Sequence, residues 1–218
     1  MSGRAGPVVL AAPSGTGKTT LAQRLVADSD DYVFSISVTT RAPRQGEVDG
    51  VDYRFVDAPT FRAMAERGEL AEWAEVHGRL YGTPRDQLER AAARGEHVVL
   101  DIDVQGARQI RERVPGAALV FILPPDIDTL VTRLMGRGTE DPADVARRLR
   151  SALEELQAVE EFAYVLVNDD LEGCLEGIQG IVAGTERGIG AKEASRRARE
   201  LRDAIERTLR ERFSEQPT

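Results

Sequence analysis

Between Pro7 and Val26 an apolar run, a glycine-containing loop and a helical pattern follow one another without a break. Pro7 to Ala12 (PVVLAA) is short, apolar and bounded by turn formers, which predicts a buried strand. The loop Ala12-Pro13-Ser14-Gly15-Thr16-Gly17-Lys18-Thr19 comes next, and then Leu21, Leu25 and Val26 lie on one side of a helix. Strand, loop and helix in this order are the context that a phosphate-binding loop requires. Gly15 and Gly17 let the backbone curl so that successive N–H groups point inward at phosphate oxygens. The helix starting near Gly17 adds the positive end of its dipole. Lys18 can reach the β- and γ-phosphates of a nucleoside triphosphate, and the Thr19 hydroxyl can ligate Mg²⁺. The pattern G-x-x-x-x-G-K-[ST] is broken only at its first position, Ala12, at the strand end where a methyl is expected to be tolerated. The bland alternative is a glycine turn with an incidental lysine. Composition argues against it: of 29 Lys and Arg residues only Lys18 and Lys192 are lysines, so position 18 reads as a chemical requirement.

A nucleotide loop usually works with an acid at the end of a neighbouring strand. His97 to Ile102 (HVVLDI) is an apolar run that ends in Asp101, with Asp103 close behind. The carboxyl edge of a buried strand is where α/β folds place ligand chemistry, so Asp101 is the candidate for holding Mg²⁺ beside Thr19, directly or through water. Asp103 has a competing role as the cap of a helix over Val104 to Arg113.

The rest of the pattern is strand–helix alternation, which predicts a parallel sheet with helices on both faces. Ala117 to Leu123 and Tyr164 to Val167 are further buried-strand candidates, and helices are expected at 59–67, 84–94, 126–135, 142–161 and 170–183. Asp141-Pro142 and Thr83-Pro84 each supply a cap and a proline at the first helical position.

The stretch from Phe34 to Tyr53 points to a second phosphate. Arg41 and Arg44 are held three apart by a loop stiffened with Pro43, and the Tyr53 hydroxyl follows. Guanidinium forks fixed in this way suit a dianionic phosphate. In Leu70-Ala-Glu72-Trp-Ala-Glu-Val76, strand alternation puts Glu72 on the side of Leu70, Ala74 and Val76. A carboxylate on an apolar face is costly unless paired, although a strand-face glutamate with its tip in water is the commoner case.

Taken together, Ala-Pro-Ser-Gly-Thr-Gly-Lys-Thr, Ser-Val-Thr-Thr-Arg-Ala-Pro-Arg, Gly-Val-Asp-Tyr-Arg-Phe-Val, Glu-Trp-Ala-Glu, Leu-Tyr-Gly-Thr, Leu-Asp-Ile-Asp-Val-Gln-Gly, Gly-Arg-Gly-Thr-Glu and Val-Asn-Asp-Asp resemble the guanylate kinase family closely, in order, over roughly the first 185 residues. The resemblance implies a P-loop NTPase fold of α/β class. Its mostly parallel sheet would be flanked by helices, with a mixed-strand GMP-binding insertion at about 36–90 and a lid at about 134–150. It implies ATP-dependent phosphorylation of GMP, and of dGMP, with ATP and Mg²⁺. The phosphate of GMP would fall to Arg41, Arg44, Tyr53 and Tyr81, and guanine to Ser37, Glu72 and Thr83, with Asp103 close by. ATP would fall to Ser14, Gly15, Thr16, Gly17, Lys18, Thr19, Thr20 and Asn168. Lys18, Arg41, Arg44, Arg137 and Arg148 would neutralise charge during in-line transfer, with no protein nucleophile or general base. Arg133 and Arg147 are equally readable as solvated helix residues. The chemistry of the base is consistent: guanine's ring N–H and exocyclic amine suit Glu72, and its carbonyl suits the Ser37 and Thr83 hydroxyls. Adenine would leave Glu72 unpaired, a mismatch worth a factor of ~10⁴.

Bulk properties set the remaining expectations. A net charge of −8 gives no global basic footprint for nucleic acid, and no apolar run in the sequence approaches a span of ~20 residues. The apolar stretch near the N-terminus is too short for a signal peptide, and Cys174 as the only cysteine forms no intrachain disulfide, so a cytoplasmic protein is expected. Gly184, Gly188 and Gly190 suggest a hinge or linker before a C-terminal helical extension, 186–218, outside a first domain of 1–185. There Ala194, Ala198, Leu201, Ile205, Leu209 and Phe213 recur at helical spacing. Three roles are open for this stripe: docking on its own domain, pairing with a second subunit in a homo-oligomer, or forming a disordered or partner-binding tail. Two rival functions are also open, a P-loop kinase for another small acceptor and an inactive relative that binds phosphorylated partners.

Overall fold

The predicted strand of the phosphate loop forms as β1 (Val8–Ala11), fully buried, and the helix after the loop as α1 (Lys18–Asp28). The structure is a computed structural model describing residues 5–76, 78–136 and 141–213. The chain divides into two compact units, Met1–Val9 with Ala22–Leu119, and Leu10–Leu21 with Val120–Thr218.

The first unit continues with β2 (Tyr32–Phe34), β3 (Val38–Thr39), β4 (Arg54–Phe55), α2 (Ala58–Glu66), β5 (Leu70–Val76), β6 (Arg79–Pro84), α3 (Arg85–Arg94), β7 (His97–Asp101) and α4 (Val104–Arg113). β2 and β7 pair in parallel from Tyr32 opposite His97 to Phe34 opposite Val99. A separate mixed sheet has the order β4-β3-β6-β5, with β3 parallel to β4 and β6 antiparallel to both β3 and β5. Its apolar face gathers Val38, Phe61, Met64 and Leu70 into a small core of its own. The edge strand β5 is covered by α4.

The second unit holds β8 (Ala118–Leu123, from Val120 onward), α5 (Ile127–Met135), α6 (Pro142–Leu156), a short 3₁₀ turn (Val159–Glu161), β9 (Tyr164–Val167), α7 (Leu171–Ala183) and α8 (Ala191–Arg212). β8 and β9 run parallel, Val120 opposite Tyr164 through Leu123 opposite Val167. The division falls within β1, with Val8 and Val9 in the first unit and Leu10 and Ala11 in the second. Leu119 to Leu123 are buried without alternation, as expected of a parallel strand covered on both faces.

Among the described residues five helices, α2, α4, α5, α6 and α7, begin on an aspartate whose side chain accepts a backbone N–H of the first turn. Asp141 caps α6 as the sequence implies. Thr83 does not cap α3: Pro84 occupies the cap position without a side-chain bond, and Thr83 is the penultimate residue of β6. The helix expected over 142–161 stops at Leu156, where three-residue turn bonds at Gln157 and Ala158 tighten the backbone into the 3₁₀ turn.

The segment expected to be a hinge is docked. Gly184 ends α7 in the left-handed conformation, at φ 75°. Gly188 then pairs with Val165, and Ile189 N–H donates to the Val165 carbonyl at 2.9 Å. A Cβ on Gly188 would meet that carbonyl oxygen at 2.3 Å, so the glycine serves close approach. α8 packs on α6, the 3₁₀ turn and α5, burying Ala194, Ala198, Leu201 and Ile205.

Candidate active site

The phosphate loop and its supports belong to the second unit. Gly15 and Gly17 have φ of +88° and +96°, where a side chain would be strained. A Cβ on Gly15 would strike Leu134 at 2.7 Å, and one on Gly17 would strike Asn168 at 2.8 Å, so the loop is packed as well as curled. Ala12 is buried and accommodated at the strand end. The Thr16 carbonyl takes two donors, Asn168 Nδ2 at 2.7 Å and Arg133 Nη1 at 2.9 Å. Because a trans peptide sets C=O and N–H on opposite sides, this bracing turns the Gly17 N–H away from Asn168. Ser14 is held at both ends, its N–H by Glu155 Oε2 at 3.2 Å and its hydroxyl by Arg148 Nε at 3.0 Å. Lys18 opens α1, with Thr19 and Thr20 exposed behind it in the first turn.

The arginines of the expected lid divide. Arg148 bridges Ser14 and the Leu134 carbonyl, whereas Arg147 pairs with Asp144 at 2.6 Å on the surface. Arg137 lies outside the described residues. Arg133, readable from sequence as a solvated residue, instead braces the loop and also reaches the Asn168 carbonyl.

The expected acceptor residues belong to the first unit and form two clusters. In one, Arg41 lies over the Tyr53 ring at 5.2 Å, and Tyr53 meets Tyr81 edge-on at 6.1 Å. Arg41 donates two bonds to Glu47, and the Arg44 backbone N–H donates a third at 2.7 Å. The Arg44 side chain itself is exposed. Burial, with the Asp101 charge second, raises the Tyr53 hydroxyl above its ordinary range, so it stays a donor.

In the other cluster the Thr83 hydroxyl donates to Glu72 Oε1 at 2.6 Å. Glu72 is 3% exposed, and burial pushes its carboxyl up to about 7, with the Asp103 charge adding to the rise. The placement depends on a β-bulge between Leu70 and Glu72 that puts Glu72 opposite Thr83. Asp103 caps α4, accepting the Gly106 N–H at 2.8 Å. Ser37 is half-buried, with its carbonyl bonded to the Arg54 N–H. Asp101 ends β7, half-buried.

No group of three or more His, Cys, Asp or Glu suited to a metal occurs among the described residues. A hydroxyl at Thr19 and a carboxylate at Asp101 are hard oxygen donors, the kind that suits Mg²⁺ carried largely by a nucleotide's own phosphates.

The guanylate kinase family model matches residues 4–184. The chain belongs to the guanylate kinase family. It is 47% identical over 186 residues to the guanylate kinase of Dechloromonas aromatica, covering 85% of this chain and 92% of that one. It is 49% identical over 180 residues to that of Nocardia farcinica, covering 82% and 93%. The solved guanylate kinase of Anaplasma phagocytophilum is similar over 98% of each chain, with a TM-score of 0.69 and 32% identity. The family model stops at the end of α7, so α8 lies beyond its matched span.

Residues that sequence reasoning passed over now stand beside the family's motifs. Glu47 lies inside the Arg41–Tyr53 stretch, and Gly106 and Gln109 lie in or just after Val-Gln-Gly. A carboxylate close to paired arginines, and a glycine inside a helix, were the available signals. Glu155 had none, since it is one acid among many on α6.

Proposed function

We propose that this guanylate kinase family member transfers the terminal phosphoryl group of ATP to GMP, giving ADP and GDP. The observation that carries the reading is the buried Glu72 carboxylate, held by Thr83 in the unit that also carries the Arg41–Tyr53–Tyr81 cluster. A buried acid with one donor has acceptor capacity to spare, and guanine's adjacent N–H and amine groups supply the missing donors. Ser37 and Thr83 complete the base pocket, and Asp103 adds local negative charge. Arg41, Arg44, Tyr53 and Tyr81 hold the phosphate of GMP, and dGMP fits the same contacts.

On the donor side Ser14, Gly15, Thr16, Gly17, Lys18, Thr19 and Thr20 cradle the ATP phosphates, with Asn168 fixing the loop. Mg²⁺, held by Thr19 and Asp101, would supply charge neutralisation on the phosphates. Lys18, Arg41, Arg44, Arg137 and Arg148 share that task while an oxygen of GMP displaces ADP in line, so no protein nucleophile is required. Among the described residues no helix is long and apolar enough to cross a membrane. We infer a cytoplasmic enzyme that engages small molecules rather than nucleic acid or membrane, a reading supported by a net charge of −8 with no global basic footprint.

The test is Lys18→Ala. Turnover of ATP and GMP to ADP and GDP is expected to vanish while calorimetric GMP affinity stays within a few-fold of the native value. Normal turnover in the variant, or no GDP from the native chain, would overturn the assignment.

A further inference from the structure

β5 is the edge strand of the mixed sheet, so its outer backbone groups need partners from elsewhere. α4 supplies them with side chains. Gln109 Nε2 donates to the Trp73 carbonyl at 2.6 Å, and its Oε1 accepts the Trp73 N–H at 3.3 Å. One side-chain amide thus satisfies both main-chain groups of the residue after Glu72, as a neighbouring strand would. Arg113 Nη1 reaches the carbonyl of Ala71, the residue before Glu72, at 3.4 Å. The peptide units on both sides of Glu72 are therefore tied to the same helix.

The helix also sets where the carboxylate can lie. A Cβ on Gly106 would fall 2.5 Å from Glu72 Oε2, so the carboxylate rests against bare backbone in the first turn of α4. Gly106 has ordinary helical geometry and spans no left-handed turn. Glycine is a poorer helix former than alanine, and close approach to Glu72 accounts for its presence here. Oε1 is held by Thr83, Oε2 lies over Gly106, and the strand is held in register by Gln109.

We propose that Gln109 and Gly106 are positioning residues for base selection, setting the Glu72 carboxylate where it can tell a purine with a 2-amino group from one without. The inference rests on Glu72 reading guanine. Inosine monophosphate is the discriminating probe, because it keeps the ring N–H and carbonyl of GMP and lacks only the exocyclic amine. A carboxylate displaced by a fraction of an ångström loses its bond to that amine first. A merely structural role for either residue would lower GMP and inosine monophosphate turnover together.

The experiment compares kcat/KM for GMP and inosine monophosphate in Gln109→Ala, Gln109→Met, Gly106→Ala and Glu72→Gln, all with saturating ATP. Gln109 is partly exposed and its methionine variant keeps the side-chain length, so at least one variant is expected to fold as the native chain does. The expected result is a fall of about tenfold in the GMP preference in the Gln109 and Gly106 variants, carried by KM for GMP with kcat largely kept. An unchanged preference in the Gln109 variants and in Gly106→Ala, with Glu72→Gln losing it, would overturn the positioning role alone. An unchanged preference in Glu72→Gln as well would overturn the reading of guanine by Glu72 and the inference with it.

Discussion

The guanidinium of Arg41 and the carboxylate of Glu47 face each other through two hydrogen bonds, 2.9 Å from Nη1 and 2.8 Å from Nη2. This is the fork-to-fork geometry in which an arginine would grip a phosphate, here directed at a carboxylate of the same loop. Glu47 also accepts the Arg44 backbone N–H, so one acid ties the two arginines of the motif into a single turn. Together these bonds hold the Glu47 carboxyl below the usual carboxylate range.

The first prediction concerns that acid. Glu47 anchors the fork through its terminal nitrogens, and loss of the anchor frees Arg41 to sample other rotamers. Glu47→Gln is expected to raise KM for GMP about five- to twentyfold while leaving KM for ATP unchanged, as read in steady-state kinetics. A lower KM for GMP would show that Glu47 competes with the substrate phosphate.

The second prediction concerns pH. Glu72 must be ionised to accept two donors from guanine, and in the substrate-free protein its carboxyl is raised to about 7. GMP affinity is therefore expected to fall as pH drops below about 7, by up to tenfold per pH unit. The titration of GMP's own phosphate is common to native protein and Glu72→Gln, so the difference between their profiles isolates Glu72. Superimposable profiles would contradict the assignment.

The same shift has a stability consequence of opposite sense. Below the ordinary carboxyl value of 4.5 both folded and unfolded chains are protonated at Glu72, and the group contributes nothing. As pH rises toward 7 the unfolded chain loses the proton first, and above about 7 the folded state bears the full cost, roughly 3 kcal/mol. Glu72→Gln is expected to unfold at a higher temperature than the native chain at pH 8 and at a similar one at pH 4. Calorimetry at the two pH values checks this, and a lower melting temperature at pH 8 would contradict it.

The third prediction separates the donor side from the acceptor side. Asn168→Ala removes one of two donors from the Thr16 carbonyl and leaves Arg133 in place. The loss of one buried hydrogen bond, about 1 kcal/mol, is expected to raise KM for ATP several-fold with KM for GMP unchanged. Equal effects on both substrates would mean that Asn168 does not act through the loop.

The fourth prediction concerns α8. Ile205 is fully buried, and its apolar neighbours on the helix are turned onto the same unit. Ile205→Ala is expected to cost about 2–4 kcal/mol, measured by denaturant unfolding. Truncation at Gly184 is expected to lower stability while leaving the sedimentation of the soluble fraction that of the full chain's subunit. A dimer that becomes a monomer only on truncation would assign α8 to assembly instead.

Much of this was legible in the residues because local rules and tertiary structure agree. Tyr164–Val167 forms a strand over the span that its apolar run marks, and Asp141-Pro142 opens α6. Thr83 misleads because Thr-Pro is a good helix start locally, while the buried Glu72 across the sheet competes for its hydroxyl and wins. Gly188 misleads because a glycine serving close approach to Val165 has the same local signature as a glycine in a linker. Arg133 and Gln109 act on partners 117 and 36 residues away in the chain, and no local pattern encodes such a contact, whereas Glu47 lies six residues from Arg41 and its signal is local.

The most direct test of the central claim is an acceptor panel. ADP release is measured with the native chain, ATP and Mg²⁺ against GMP, dGMP, AMP, CMP, UMP and TMP at equal concentration. Rapid release is expected with GMP and dGMP, and a kcat/KM for AMP lower by about four orders of magnitude. Equal rates with GMP and AMP would contradict it.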